Sequence, residues 1–231
     1  MKKGICNVVV ALLIFTFLLL PMEALAISQE PPVLEMEDVT PEDWFYRYVV
    51  DGLRFGIITG VSGETFRFVP DRNVTRAEFI TMLGRLHEYG HGTIGTPGEG
   101  RFYERYLEWA VEHGIIHGNQ HGDLMPRSLI NREQKAVVVY RYIGAFDLWD
   151  YFRHEYAMRA VMFSDLMEIS NWAQVPVVRL LHGLMVTSID IDDVYDRSFL
   201  YGPRHIISRA EALEILIRVG SAVYDLVHPL W

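Results

Sequence analysis

Apolar side chains recur with helical spacing in three parts of the chain, and no part shows a sustained alternation of apolar and polar residues. Apolar or aromatic residues stand six, seven and ten positions after each of three arginines: Met82, Leu83 and Leu86 after Arg76; Val138, Val139 and Tyr142 after Arg132; Ile215, Leu216 and Val219 after Arg209. This spacing places each set on one face of a helix. The pattern predicts three helices that each bury one face, with little or no strand.

Each of these helices begins with a recognisable start signal. The four-residue motifs are Thr75-Arg76-Ala77-Glu78, Asn131-Arg132-Glu133-Gln134 and Ser208-Arg209-Ala210-Glu211. Thr75 with Glu78 and Ser208 with Glu211 fit capping boxes, and Asn131 with Gln134 is a weaker version of the same device. A proline six positions before each arginine marks a turn (Pro70, Pro126 and Pro203).

A second helical stretch precedes each of these helices and ends at a glycine. The predicted first helices are Trp44 to Phe55, a run near Tyr103 to His113, and Asn171 to His182. Gly56, Gly114 and Gly183 follow them at the position of a left-handed C-cap. The distance from glycine to proline varies (14, 12 and 20 residues), and the third copy carries its extra length in an acidic stretch around Asp190, Asp192 and Asp193.

The three copies define the predicted organisation of the chain. We name residues 36–89 segment 1, residues 101–144 segment 2 and residues 163–220 segment 3. A helix pair of this size does not bury its apolar face alone. We therefore expect an all-α, mainly helical fold in which three helix–loop–helix repeats pack as a pseudo-threefold, three-pronged unit. The glycine-rich stretch Gly90 to Gly100 is a predicted mobile linker, and the aromatic-rich stretch Gly144 to Met162 a packed connection.

The amino terminus has the features of an export signal. Lys2 and Lys3 precede an uncharged run from Val8 to Leu20, and Ala24-Leu25-Ala26 follows it. These features predict a cleaved secretory signal over residues 1–26. The run is shorter than the ~20 residues of a spanning helix, so we expect no membrane association after cleavage.

The composition of the chain limits which kinds of site and partner we expect. The single cysteine, Cys6, lies in the predicted signal, which leaves the mature chain without a disulfide, a thiolate nucleophile or a cysteine zinc site. The formal charge of −9 argues against a nucleic-acid partner, because nucleic acid is bound by a basic face. No cofactor motif is present.

Arginine at the first position of a helix calls for an explanation. Its positive charge lies at the positive end of the helix dipole, which lowers the stability of the helix by ~0.3–1 kcal/mol. Because Arg76, Arg132 and Arg209 all stand there, we interpret them as anion ligands that act together with the free amides of the helix start. The alternative is that each arginine pairs with an acidic residue of a neighbouring repeat.

The motifs together resemble the S-layer homology module. The resemblance lies in the order Asp38, Trp44, Gly56-Ile57-Ile58, Phe68-x-Pro70 and Thr75-Arg76-Ala77-Glu78. A further copy is similar at Phe163-Ser164-Asp165, Trp172, Gly183, Pro203 and Ser208-Arg209-Ala210-Glu211, and Asn131-Arg132-Glu133-Gln134 resembles a variant of the same motif.

The resemblance implies non-covalent binding of secondary cell-wall polysaccharide, typically pyruvylated, in grooves between repeats. By position, Arg76, Arg132 and Arg209 would hold the pyruvate carboxylate. Trp44 and Trp172 would lie against sugar faces, and Asp38 and Asp165 would bind hydroxyl groups. The alternative for both tryptophans is ordinary core packing.

Segment 2 departs from the family pattern. It lacks the Phe-x-Asp opening, and Phe102 stands at the position that matches Trp44. We therefore expect one groove to be either degraded or purely structural. The acidic stretch of segment 3 would repel an anion if it lay near its groove, which makes Arg76 the first candidate ligand.

Two histidine patterns suggest metal chemistry and are interpreted otherwise. His87-Glu88-Tyr89-Gly90-His91 matches H-E-x-x-H, but Gly90 and Gly92 predict that the helix ends near Tyr89, which would take His91 off the helix face. His113, His117 and His121 alternate with glycines and belong to a predicted loop. We expect no metal at either place.

The sequence thus predicts an exported, non-catalytic protein of the cell wall or cell surface that binds wall polysaccharide. It leaves open whether the protein acts alone, is a subunit of a larger envelope assembly or is a truncated product. Two alternatives stay open. One is a secreted zinc-dependent hydrolase that uses His87, Glu88 and His91. The other is a protein–protein interaction module whose grooves have lost glycan binding.

Overall fold

The structure is a computed structural model that describes residues 36–60, 66–95, 100–152, 163–182 and 200–224. These residues form six α-helices: α1 (Tyr46–Arg54), α2 (Arg76–His91), α3 (Glu104–Glu112), α4 (Arg132–Ala145), α5 (Asn171–His182) and α6 (Arg209–Tyr224). Two 3₁₀ helices span Leu148–Phe152 and Leu166–Glu168. The described residues contain isolated β-bridges and no named strand. The prediction of a mainly helical fold is confirmed.

All three predicted starts of the second helices are confirmed. The Thr75 hydroxyl accepts the Glu78 amide at 3.3 Å, and the Glu78 carboxylate accepts the Thr75 amide at 2.9 Å. Asn131 and Gln134 form the same reciprocal pair. Ser208 and Glu211 form it as well, with N···O distances of 2.8 and 3.2 Å. The capping box therefore fixes where α2, α4 and α6 begin.

The first helices of segments 1 and 2 end as their glycines predict. Gly56 and Gly114 have φ angles of 69° and 66°, a left-handed conformation in which a Cβ atom would be strained. Gly183 lies outside the described residues. Helix α1 begins at Tyr46, two residues after the predicted start.

Each first helix packs on the second helix of another segment. Helix α3 lies on α2, α5 lies on α4, and α1 lies on α6. Small residues permit this approach: a Cβ atom on Gly84 would come within 2.3 Å of the Tyr106 ring of α3. The predicted apolar faces of α2, α4 and α6 are all buried in the shared core (Met82, Leu83, Leu86, Val138, Val139, Tyr142, Ile215, Leu216, Val219).

Three backbone hydrogen bonds close a ring where the segments meet. The Val74 amide donates to Ile207 at 3.2 Å, the Ile207 amide to Ile130 at 3.1 Å, and the Ile130 amide to Val74 at 3.0 Å. Each residue stands two positions before an arginine of the helix-start motifs, and all three are buried. This ring ties the loop of every segment to the loops of the other two.

The prediction of a mobile linker from Gly90 is wrong for its first part. Helix α2 continues to His91, and Ile94 is buried. The Ile94 amide donates to the Glu88 carboxylate at 3.0 Å, and its carbonyl accepts from Arg105 at 3.0 Å. Residues 96–99 lie outside the described ranges.

The second connection is packed where it is described. Leu148 is buried, and the Trp149 and Tyr140 rings are 5.1 Å apart. The predicted signal over residues 1–26, residues 153–162 and the acidic stretch around Asp190, Asp192 and Asp193 lie outside the described residues. Among the described helices, none is both long enough and apolar enough to cross a membrane.

Candidate functional site

The backbone amides at the starts of α2, α4 and α6 are occupied. In α2 the Arg76 amide donates to the Ser128 carbonyl at 2.9 Å and the Ala77 amide to the Pro126 carbonyl at 3.0 Å. The corresponding amides are bound in the same way in α4 (Arg132 to His205, Glu133 to Pro203) and in α6 (Arg209 to Arg72, Ala210 to Pro70). The predicted use of free amides as anion donors is therefore wrong, because the loop of a neighbouring segment fills them.

The guanidinium groups of two of the arginines also donate hydrogen bonds to backbone carbonyls of another segment. Arg76 donates from Nε to the Leu124 carbonyl at 2.9 Å and from Nη2 to the His117 carbonyl at 3.5 Å. Arg209 donates from Nε to Phe68 and from Nη2 to Thr59, both at 2.8 Å. Arginine stands at these helix starts because it reaches backbone acceptors on another segment. We name the contact made by Arg76 the 1–2 junction and that made by Arg209 the 3–1 junction.

Arg132 forms the third contact, the 2–3 junction, and it is enclosed. The residue is 2% exposed, and its Nη1 donates to Glu211 Oε1 at 2.8 Å. Its guanidinium carbon lies 5.2 Å from the centre of the Tyr201 ring, and the Tyr201 hydroxyl donates to the Arg132 carbonyl. The Arg132 side chain is thus buried and paired with an acid of segment 3, the alternative considered for these arginines, while its role as a glycan ligand stays a prediction.

Arg209 is enclosed in a similar way. It is 7% exposed, and its guanidinium carbon lies 5.1 Å from the centre of the Phe68 ring. Burial, followed by the charge of Arg72, lowers the pKa of Arg209 to about 10 although Glu78 opposes the shift. Its Nε and Nη2 donors are used by backbone carbonyls, and its role as an external ligand stays a prediction.

Arg76 is in a different environment. It is half-buried, and burial, followed by the positive charge of Arg141, lowers its pKa. Within the described ranges, no carboxylate lies within ion-pair distance of Arg76 or Arg141. Of the three predicted arginine ligands, Arg76 is the one whose charge is not balanced by a contacting or nearby acid.

Asp38 and Asp165 have an internal role. Asp38 accepts the amides of Phe68 and Val69 at 2.8 and 2.7 Å. Asp165 accepts the corresponding amides of Tyr201 and Gly202, also at 2.8 and 2.7 Å. Both oxygens of each carboxylate hold the turn that precedes the proline; the binding of sugar hydroxyls by these aspartates stays a prediction.

The clamped turn contains a left-handed residue. Val69 has a φ of 56° and Gly202 a φ of 63°, and a β-branched residue in that region is strained. Segment 2 lacks the opening aspartate but reaches the same conformation at Met125, with a φ of 48°. There Asp123 accepts the Met125 amide at 2.8 Å. Sequence reasoning did not identify Asp123; its position three residues before Pro126 is the available signal.

The aromatic residues at the start of the first helices are exposed. Trp44 is 58% exposed, Trp172 is 55% exposed, and Phe102, at the matching position of segment 2, is 62% exposed. Core packing, the alternative for the tryptophans, is therefore contradicted. Among the described residues, no ring contact or hydrogen bond joins these side chains to Arg76, Arg132 or Arg209.

The H-E-x-x-H pattern lies on a continuous helix, contrary to the predicted end near Tyr89. The His87 and His91 rings stack with their centres 4.2 Å apart. Glu88, however, accepts hydrogen bonds from the Tyr106 hydroxyl at 2.9 Å and from Ile94, and pairs with Arg105. The described residues include no group of three His, Cys, Asp or Glu side chains arranged to hold a metal ion.

The second histidine pattern lies at and after the end of α3, as predicted. His113 follows the last helical residue, and His117 and His121 are exposed in the loop. The His117 carbonyl, rather than its ring, contributes to the 1–2 junction.

Comparisons with known proteins find a family model that part of the chain resembles. Residues 35–80 match the family model described as the S-layer homology domain. The chain is 30% identical over 145 residues to an endoglucanase of Bacillus sp. (strain KSM-635), an alignment that covers 59% of this chain and 14% of that protein.

Two further relatives carry other names. The surface-layer 125 kDa protein of Lysinibacillus sphaericus is 30% identical over 136 residues, which cover 54% of this chain and 11% of that protein. A cellulosome-anchoring protein of Acetivibrio thermocellus is 30% identical over 106 residues, covering 42% of this chain and 23% of that protein. The chain therefore spans less than a quarter of the length of these relatives.

Proposed function

We propose that the protein is a non-catalytic component of the cell surface that anchors to the cell wall. The S-layer homology match over residues 35–80 supports this role. The relatives support it as well, because one is named as a surface-layer protein and another as an anchoring protein. An endoglucanase aligns with this chain over 14% of its own length, so the shared part is small compared with that enzyme.

We further propose that the bound partner is a secondary cell-wall polysaccharide. The observation that carries this proposal is the exposure of an aromatic side chain near the start of the first helix of all three segments (Trp44, Phe102 and Trp172). Exposed rings offer apolar faces on which sugar rings stack. The surface of α5, the helix that contains Trp172, forms an open cavity of about 470 Å³ lined by Gln174, Val175, Val178 and Arg179, which is large enough for a sugar unit.

The proposed polysaccharide is anionic, and pyruvylated sugars are the form we favour. A pyruvate ketal carries one carboxylate, and a guanidinium group matches the planar geometry of a carboxylate. Arg76 is half-buried and has backbone carbonyls as its only hydrogen-bond partners among the described residues. It is therefore the arginine proposed to meet the ligand.

Co-sedimentation with purified wall sacculi tests the proposal. We expect the protein to pellet with intact sacculi and to remain in solution with sacculi stripped of their secondary polymer. Trp44→Ala and Trp172→Ala should each weaken binding, whereas Trp149→Ala, a change at a tryptophan packed on Tyr140, should not. Equal retention on stripped sacculi would instead favour the protein–protein interaction module.

The zinc-dependent hydrolase remains a separate alternative that metal analysis decides. Glu88 is bound to Arg105 and Tyr106, so it is not poised over a water molecule between His87 and His91. We expect purified protein to contain no stoichiometric zinc. One zinc per chain, lost on His91→Ala, would support the hydrolase.

A further inference from the structure

The turns that lead into the first helices of segments 1 and 2 are held by carboxylates of the same segment. In segment 1, Asp43 accepts the Thr40 amide at 2.6 Å and the Thr40 hydroxyl at 3.2 Å. In segment 2, Glu104 accepts the Arg101 amide at 3.1 Å. In both segments the acid and the group that it binds are three residues apart, so the start of the helix is fixed locally.

The first helix of segment 3 is held by an acid from another segment. From Ile169 to His182 the chain contains no aspartate or glutamate. Glu133, the second residue of α4, accepts the Ser170 amide at 3.0 Å through Oε2 and the Ser170 hydroxyl at 3.1 Å through Oε1. Ser170 directly precedes α5. A carboxylate of segment 2 therefore holds the start of α5.

Glu133 is buried at the 2–3 junction. The residue is 3% exposed, and its backbone amide donates to the Pro203 carbonyl of segment 3 at 3.1 Å. The second residues of α2 and α6 are Ala77 and Ala210, whose side chains have no acceptor. Because a buried carboxylate costs free energy unless hydrogen bonds compensate it, the two bonds to Ser170 give Glu133 a specific role.

Helix α5 carries one of the aromatic rings proposed to stack on sugar. Trp172 stands two positions after Ser170 and is 55% exposed. Another side of the helix is packed, since Ala173, Val177 and Leu180 are buried and α5 lies on α4. Side chains leave a helix in directions fixed by its backbone. The start of α5 and its packing on α4 therefore set the direction in which the Trp172 ring faces solvent.

We infer that Glu133 is a positioning residue for the binding surface at Trp172. Its carboxylate is buried and acts on the ligand only through the start of α5. A ring that is already held in its binding orientation loses less entropy when a sugar stacks on it. This inference rests on the proposed function and adds that segment 2 completes the binding surface of segment 3.

The inference predicts that the three aromatic positions respond differently to loss of Glu133. Trp44 and Phe102 adjoin turns that are held by acids of their own segments. Removing the Glu133 carboxylate should therefore change the surface at Trp172 and leave the surface at Trp44 as it is. This selectivity separates a positioning role from a general contribution to the stability of the fold.

Fluorine NMR of protein labelled with 5-fluorotryptophan tests the positioning without any ligand. The chain has five tryptophans, and the loss of one signal in Trp172→Phe assigns that residue. We expect Glu133→Gln to shift or broaden the Trp172 signal and to leave the Trp44 signal unchanged. Glu168→Gln is the matched control, because it removes the same charge from an exposed acid two positions before Ser170, and it should change neither signal. An unmoved Trp172 signal in folded Glu133→Gln protein would overturn the inference.

A double-mutant cycle in the co-sedimentation assay tests whether Glu133 acts on binding through Trp172. We expect Glu133→Gln to lower the affinity for intact sacculi about fivefold, and the combined Glu133→Gln and Trp172→Ala variant to bind no more weakly than Trp172→Ala alone. Combined with Trp44→Ala, the effect of Glu133→Gln should instead be additive. A further loss of affinity in both tryptophan variants would indicate a general loss of structure and would overturn the inference.

The outcomes distinguish failure of the inference from failure of the proposed function. If the unchanged protein does not pellet with intact sacculi, the proposed function fails, and the fluorine spectra still decide whether Glu133 positions Trp172. If the protein pellets but Trp172→Ala binds as the unchanged protein does, the inference fails, because Trp172 then makes no contribution for Glu133 to support. In that case a loss of binding in Trp44→Ala would keep the proposed function.

Discussion

Arg132 of segment 2 donates a 2.8 Å hydrogen bond to Glu211 of segment 3. Glu211 is at the same time the third residue of α6, and its carboxylate accepts the Ser208 amide that begins that helix. One buried arginine is therefore tied to the start of a helix in another segment. The same residue type that suggested an outside anion holds two segments together.

Arg132→Gln should be strongly destabilising. Removing one partner of a buried ion pair leaves the other charge unbalanced, which costs about 3–5 kcal/mol. Urea unfolding at neutral pH measures this loss. Arg76→Gln is the control and should cost much less, because Arg76 is half-buried and has no acidic partner among the described residues; similar losses for the two variants would contradict the account.

Thr75→Ala should lower stability through loss of a helix cap. The Thr75 hydroxyl accepts the Glu78 amide at 3.3 Å, and loss of such a cap costs about 0.5–2 kcal/mol. Thermal or urea unfolding checks this. Thr75→Ser keeps the hydroxyl and should behave as the unchanged protein; a Thr75→Ala protein with an unmoved midpoint would mean that the cap does not stabilise α2.

Stability should fall with pH below about 6.5, in part because of His87. Burial, followed by the charges of His91 and His113, lowers the pKa of His87 to about 4. The folded state therefore holds His87 neutral while the unfolded chain takes up a proton near pH 6.5. The contribution of His87 to the free energy of unfolding is complete above pH 6.5. It is lost as the pH falls towards 4, by up to ~1.4 kcal/mol per pH unit.

His87→Phe isolates this effect, since phenylalanine suits the ring cluster formed with Phe146 and Trp109. Urea unfolding of both proteins between pH 4 and pH 8 measures it. The free energy of unfolding of the variant should vary less with pH than that of the unchanged protein. Parallel curves for the two proteins would show that His87 does not titrate on unfolding in this range.

Asp165→Asn should act on folding rather than on binding. The Asp165 carboxylate accepts two backbone amides at 2.8 and 2.7 Å, and hydrogen bonds to a charged group contribute about 1.5–3 kcal/mol each. We expect a lower midpoint of thermal unfolding but unchanged affinity for sacculi well below that midpoint. Asp71→Asn, a change at an exposed aspartate, is the control. Weak binding by folded Asp165→Asn protein would instead support a direct role of the Asp165 carboxylate in sugar binding.

The helix starts could be predicted because their causes are local. Thr75 and Glu78 are three residues apart, and the capping box forms between neighbours in sequence. The buried faces of α2, α4 and α6 could be predicted as well, because each follows from the helical spacing of apolar residues within a single helix. These features need no knowledge of what the helix packs against.

The end of α2 could not be predicted from its glycines. Gly90 disfavours a helix by ~1 kcal/mol, yet α2 continues through it. A Cβ atom at Gly90 would come within 2.2 Å of the Tyr224 ring, and Tyr224 also reaches His91 with its hydroxyl at 3.1 Å. The glycine permits this distant residue to approach the helix, which a local pattern does not reveal.

The role of the arginines was hidden for a related reason. The acceptors of Arg76 and Arg209 are backbone carbonyls, at Leu124 and Phe68, 48 and 141 residues away. Every residue carries a backbone carbonyl. The residue types along the chain therefore do not show which carbonyls accept hydrogen bonds from these arginines. The exposure of Trp44 and Trp172 could not be read from sequence either, because a tryptophan at the start of a helix suits both the core and the surface.

The most direct measurement of the central claim is the affinity of the unchanged protein for purified wall polymer before and after removal of its pyruvate groups. Isothermal titration calorimetry with the two polymers, at one salt concentration, gives the comparison. The account predicts that binding is lost or falls by at least about tenfold when the carboxylates are removed. Equal affinity for the two polymers would contradict it.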